Sequence, residues 1–166
     1  MRVTKSRTRE LAPPTFEDIV AKADLIVQGR VAPAKTYLSD DKMHLYTDYV
    51  VTAARVLLQR TGLSVQRPGM QTDVVIKQFG GTMVLEGVQI SEQDDNMPPL
   101  PVGADLLLIL QYNKAESKYE LPGEVAGAFS VAAGRIAPLI RASRTYERFH
   151  GMGTAQFDSE VRRLRP

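Results

Sequence analysis

The chain has no cysteine and only two histidines among its 166 residues. Without cysteine, disulfide bonds, thiolate metal sites and a cysteine nucleophile are excluded. His44 and His150 have no partner at metal-ligand spacing, and no G-x-S-x-G motif is present. We therefore expect structural or solvent-exposed histidines, no metal site, no cofactor and no catalytic residue. The composition fits a cytosolic protein and equally a bacterial protein that is exported and folds without oxidation.

Long apolar runs are also missing. The longest one, residues 106–110, is far shorter than the ~20 residues that cross a bilayer. The basic N-terminal sequence MRVTKSRTRELAPP is not followed by the apolar stretch of a secretory signal. We expect no membrane span and no signal peptide within this chain, so the protein is either cytoplasmic or has lost a preceding signal.

The net charge of +2 is unevenly distributed along the chain. Residues 1–10 carry a net +3 and residues 135–166 a net +4, whereas residues 11–134 carry a net −5. A nucleic-acid-binding body usually has its basic residues on the folded surface, so this arrangement makes nucleic acid an improbable partner. The sequence predicts a flexible basic tail over residues 1–12 and a single OB-like β-barrel domain over residues 13–166.

Most of the patterned segments are typical of β-strands. Leu25, Val27 and Val31 fall on one face of a strand and Gln28 and Arg30 on the other, and residues 45–58 alternate with one slip that indicates a bulge. Residues 105–112 are apolar on both faces, which predicts the most buried strand. Further strands are expected at residues 73–79, 119–121, 128–131 and 135–140, with Gly80-Gly81 as a tight turn or bulge.

Two short helices flank these strands. Thr15 is placed to cap a helix whose apolar stripe contains Phe16, Ile19 and Val20. At the other end, Thr154 is expected to cap a helix over residues 154–164 with its apolar residues at i, i+4 and i+7. Both helices are too short to be stable without docking on the strands.

The segments ADLIVQGRV at residues 23–31, Gly80-Gly81 and PVGADLLLIL at residues 101–110 follow one another in an order that resembles a known family. It is similar to the tissue-inhibitor-of-metalloproteinases or netrin-like (NTR-like) branch of OB-fold barrels, and closer to uncharacterised bacterial exported proteins of that shape. The resemblance covers about residues 16–121. It implies a mostly β fold: a partly open, five- to six-stranded barrel with a short N-terminal helix, a C-terminal helix outside it or across one mouth, and export to the periplasm or medium. The family's protease inhibitors use an N-terminal cysteine to hold the zinc, so inhibition is not implied here.

The longest inferred connection, residues 86–101 (EGVQISEQDDNMPPLP), is the predicted recognition surface. It is acidic, and its prolines limit the freedom of the unbound loop. A calcium site there is disfavoured because the spacing does not match an EF-hand loop, and a solvated connector is the alternative interpretation. The candidate contact residues are Glu92, Asp94, Asp95, Met97 and Leu100.

These observations favour a non-enzymatic module that binds a protein. One alternative is an OB-fold protein that binds single-stranded nucleic acid by stacking bases on Tyr46, Tyr49 or Phe79. The other is an enzyme of unrecognised class. The sequence does not specify an oligomeric state.

Overall fold

The computed structural model describes residues 1–8, 12–33, 35–60, 72–122, 126–140 and 144–165. Two α-helices and a 3-10 helix accompany the strands in these ranges. The elements are β1 (Arg2–Arg7), α1 (Phe16–Lys22), β2 (Leu25–Val31), β3 (Lys35–Leu38), β4 (Leu45–Gln59), β5 (Thr72–Phe79), β6 (Gly81–Leu85), β7 (Val88–Asp94), β8 (Asp105–Asn113), β9 (Lys118–Glu120), β10 (Ala128–Ala132), β11 (Arg135–Pro138), the 3-10 helix (Arg144–Phe149), β12 (Met152–Gly153) and α2 (Thr154–Leu164).

Five strands close into a barrel. Around it, β2 pairs with β4, β4 with β5, β5 with β9, β9 with β8, and β8 with β2. All of these pairs are antiparallel except β5 with β9, which is parallel. The expected mostly β fold with a small barrel and a helix near each end is confirmed.

Strand β8 separates the two halves of the core, as its apolar pattern predicted. Leu106, Leu108 and Leu110 point into the barrel, and Leu107 and Ile109 point to the opposite side. All five side chains are fully buried. Because successive side chains alternate across a strand, burial on both faces requires a layer on each side.

The second layer consists of the helices, which pack on the outside of the barrel. Phe16, Phe129, Phe149 and Phe157 form its aromatic centre, with ring centroids 4.6–6.1 Å apart. The Thr15 hydroxyl accepts a hydrogen bond from the Asp18 amide, which confirms the predicted cap. The prediction that Thr154 caps α2 is wrong, since Thr154 is the first helical residue and the cap position is Gly153. No helix in the described ranges is long and apolar enough to cross a membrane.

The slip in the pattern of β4 marks real irregularities. The register of β4 against β2 shifts opposite Ile26/Val27 and again opposite Gln28/Gly29. Such bulges increase the local twist and bend the strand. They allow β4 to follow the curvature of the barrel.

A separate sheet of three strands, in the order β1-β7-β6, leaves the barrel at the glycine pair. Gly80 and Gly81 have φ values of +92° and +141°, and a Cβ on Gly81 would lie 2.2 Å from Oγ1 of Thr47. Only glycine fits this corner. The basic N-terminal segment, expected to be part of a free tail, instead contributes Arg2–Arg7 as a strand parallel to β7. Its backbone pairs with the edge of β7, and the sequence of the segment has no pattern that predicts this pairing.

The connection expected over residues 86–101 contains a strand. Val88–Asp94 is strand β7, which pairs with β6 across a tight turn at Glu86 and Gly87. The expectation that Met97 and Leu100 are exposed is wrong, because each is 2% exposed and both belong to the apolar cluster inside the barrel. The buried side chain of Gln78 holds this segment by donating to the Pro98 carbonyl and accepting from the Leu100 amide.

Candidate functional site

The residues predicted for recognition do not form an exposed surface. Glu92 and Asp94 are buried on β7, and Met97 and Leu100 fill the barrel interior. Asp95 is half-buried and accepts a hydrogen bond from Ser6 at 2.7 Å. These side chains hold the fold together. The prediction of an acidic docking loop with exposed apolar residues is therefore not supported by their burial.

Glu92 has a structural role that involves one of the two histidines. Its carboxylate accepts from the Leu45 amide at 2.6 Å and lies 3.1 Å from Nδ1 of His44. The ring of His44 also lies 5.6 Å from that of Phe79. The Ser39 hydroxyl accepts a hydrogen bond from the backbone amide of His44 and not from its ring, and His150 is exposed. A carboxylate that orients a histidine supports catalysis when a nucleophile is bound to the ring, and in the described residues the ring of His44 contacts Glu92 and Phe79.

A different surface combines aromatic rings with charge on the outside of the barrel. Tyr46 of β4 lies opposite Tyr37 of β3, with ring centroids 6.4 Å apart. Neighbouring strands and the turn before β9 add two lysines and two carboxylates. We call this set the tyrosine–lysine face; it consists of Tyr37, Tyr46, Asp48, Lys77, Glu116 and Lys118.

Both lysines of the tyrosine–lysine face bind a ring and a carboxylate. Nζ of Lys77 lies 4.1 Å from the ring centroid of Tyr46 and 2.7 Å from the carboxylate of Glu116. Nζ of Lys118 lies 5.1 Å from the ring centroid of Tyr37 and 2.7 Å from Asp48. Each ammonium is thus fixed between a π face and a carboxylate. The side chain of Lys77 is 15% exposed, so its ammonium is largely enclosed by these two partners.

These contacts keep the charges of the face in place across the neutral pH range. Burial is the largest single influence on the pKa of Lys77 and lowers it, but the hydrogen bond to Glu116 and the electrostatic attraction of Glu116 and the two tyrosines together outweigh it, so the net shift is upward. The hydrogen bond to Asp48 raises the pKa of Lys118. Burial also raises the pKa of Tyr37, with a partial offset from Lys118. The face therefore presents two cations, two anions and two neutral phenols, with no net charge.

The cleft beside Tyr46 and Lys77 is too small for a typical small-molecule ligand. Its cavity volume is about 20 Å³, far below the roughly 300–1,000 Å³ of typical ligand sites. A wider polar groove of about 510 Å³ runs past Asp24 and Arg60, and its side chains bind one another. Asn113, for example, donates to Glu120 at 2.8 Å. No group of three metal-ligating side chains occurs in the described ranges.

Of the three aromatic residues considered for base stacking, only Tyr46 is half-exposed. Tyr49 is buried inside the barrel and Phe79 is covered, with the guanidinium of Arg7 4.9 Å from its ring centroid. Sequence reasoning missed Tyr37 and Lys118, which lie 81 positions apart in the sequence. Their side chains come together only when the barrel has folded. The alternation of side chains along β3 could have predicted that Tyr37 lies on an outer face. It could not have predicted that Lys118 is its partner.

Comparison of the chain with models of known protein families gives no match. Comparison with curated proteins also gives none. The functional inference therefore depends on the geometry described above.

Proposed function

We propose that this protein is a non-enzymatic interaction module that binds a protein partner through the tyrosine–lysine face. The observation that carries the proposal is a pair of half-exposed tyrosines on a rigid barrel sheet, surrounded by paired charges. Tyrosine is enriched at protein interfaces and among their energetic hot spots. Neutral phenols with fixed ion pairs around them suit a partner surface that itself carries both apolar and polar groups.

The charge balance of the face favours protein over nucleic acid. Single-stranded nucleic acid is bound by aromatic platforms in a groove with excess positive charge. Here Lys77 and Lys118 are each neutralised by a carboxylate. A phosphate would have to displace Glu116 or Asp48 before it could bind either lysine.

The barrel also supports the proposal that the fold is of the OB type. Its strands follow the order first, second, third, fifth, fourth, with the third and fifth parallel. OB-type barrels use the face of strands two and three with adjoining loops for contact, and Tyr46, Asp48 and Lys77 of the tyrosine–lysine face lie on the corresponding strands, β4 and β5. The sequence resemblance to bacterial exported barrels leads us to propose an extracytoplasmic location. Fractionation of native cells, with detection of this chain outside the cytoplasm, is its test.

Binding is tested with one tyrosine variant and one control. Proteins captured from a native extract by the wild-type chain are purified, and their affinities are measured by calorimetry. Tyr37→Ala should weaken binding by about tenfold or more, as expected for a hot-spot tyrosine. Val102→Ala, at a residue 57% exposed away from this face, should leave the affinity unchanged.

Two results would contradict the proposal. One is equal affinity of the Tyr37→Ala and Val102→Ala variants for every purified partner. The other is tight, salt-sensitive binding of a single-stranded oligonucleotide that is lost in Tyr37→Ala, which would assign the face to nucleic acid.

A further inference from the structure

The pairing of β1 with β7 is distinct from the tyrosine–lysine face and suggests a second interaction. Six residues of β1 are in register with six of β7. Hydrogen bonds at the two ends frame the pairing, from the Gln89 amide to the Met1 carbonyl at 3.2 Å and from the Asp95 amide to the Arg7 carbonyl at 3.0 Å. In a parallel ladder the backbone groups of every second residue point toward the partner strand. In β1 these include the backbone groups of Val3 and Lys5, which therefore point toward β7.

No side chain of β1 is buried in the core. Every residue of Arg2–Arg7 is exposed, and none belongs to an apolar cluster of the core. The side-chain contacts are polar and lie at its C-terminal end, where Ser6 and Thr8 donate to Asp95 and Arg7 stacks on Phe79. The departure of β1 would therefore open no cavity in the core, but it would leave the backbone groups of β7 unpaired.

Charged residues of β1 and β7 that lie in register also carry charges of opposite sign. Lys5 lies in register with Glu92, and Arg7 with Asp94. A basic strand therefore matches the acidic edge, and the N-terminal segment of this chain is a strand of that kind. An edge that exposes unpaired backbone groups is a template for a strand from another chain.

We propose that the β7 edge is a strand-docking site that Arg2–Arg7 of a second copy of this chain occupies in exchange for the chain's own β1, giving a strand-exchanged dimer. The contacts are the same within one chain and between two, so exchange requires no new interface. The tethered strand competes at an effective concentration in the millimolar range, so the dimer fraction should rise as the protein approaches that concentration.

The test uses the full chain and the fact that it has no native cysteine. One copy carries Val3→Cys and a second copy, with a different mass tag, carries Ile90→Cys; these two positions are in register. The copies are mixed and treated with a short bis-maleimide. At about 0.5 mM, covalent heterodimer should exceed that of a Val3→Cys plus Val102→Cys mixture at least fivefold, and it should increase with concentration.

Three further variants test whether the heterodimer forms through the pairing of β1 with β7. A single chain with both Val3→Cys and Ile90→Cys should cross-link internally at low concentration, which verifies the pairing. Adding Lys5→Pro to the Val3→Cys copy removes a backbone donor that faces β7 and should abolish the heterodimer, whereas Lys5→Ala, which removes only the charge, should retain most of it. The proposal is overturned if heterodimer stays at the control level, if Lys5→Pro has no effect, or if the double variant does not cross-link internally.

Discussion

The barrel and the three-stranded sheet use the same secondary structure but are stabilised in different ways. In the barrel, β8 is covered on both faces, and Leu108 is fully buried. In the small sheet, β1 is exposed along its length and Val84 of β6 is 68% exposed. Apolar burial holds the first region, whereas backbone pairing and a few polar contacts hold the second. A strand can therefore be well paired and still contribute little to the core.

The largest expected effect is the loss of stability when an apolar side chain is truncated, and it should differ between the two regions. Leu108→Ala should lower the free energy of unfolding by about 2–5 kcal/mol, because it removes buried contacts and leaves a cavity. Val84→Ala on β6 should change it by less than about 0.5 kcal/mol, as for most surface substitutions. Urea denaturation measures both. Similar losses in the two variants would contradict the contrast.

A smaller effect is expected where the two regions meet, at the buried carboxylate of Glu92. Glu92→Ala leaves the buried Leu45 amide without its acceptor and should cost about 1–3 kcal/mol. Gln93→Ala, at the next and exposed position of β7, is the matched control. If both variants unfold at the same urea concentration, Glu92 does not anchor the sheet to the barrel.

The helix layer allows a pH-dependent test that should leave the small sheet unaffected. Burial, and secondarily the carboxylates of Glu17 and Asp18, raise the pKa of Tyr146, whose hydroxyl donates to the Pro14 carbonyl. The neutral phenol is favoured in the folded state, so its contribution is complete below the unfolded pKa of 10.0 and is lost as pH rises above it. Tyr146→Phe should cost about 1 kcal/mol at neutral pH but lose less stability at alkaline pH. If the free energy of unfolding of the wild type and of Tyr146→Phe falls equally with pH above about 10, the Tyr146 hydroxyl does not contribute to stability in this way.

The barrel was largely predictable because its strands carry their own pattern. The two-sided apolar run of β8 and the slip in β4 each correspond to a feature of the structure. Burial dictates the choice of side chain at such positions, so local sequence indicates the environment.

The burial of residues 91–101, the docking of β1 and the tyrosine–lysine face were not predictable for a physical reason. Acidic residues and prolines at residues 91–101 are typical of a solvated loop, yet Gln78 and Leu45 supply the hydrogen bonds that allow the segment to be buried. Those partners are distant in sequence. The same is true of β1, which uses backbone groups that every residue possesses. Long-range pairing of polar groups leaves little trace in the local pattern.

Hydrogen exchange of backbone amides, followed by mass spectrometry or NMR, tests the contrast between the two regions most directly. Amides of Leu106, Leu108 and Leu110 should exchange only through global unfolding, because burial on both faces leaves no smaller opening. Amides of Val3 and Lys5 should exchange at least a hundredfold faster by local release of β1 from β7, with protection that is unaffected by Leu108→Ala. Equal protection of β1 and β8, falling together in that variant, would show that the two regions unfold as one cooperative unit.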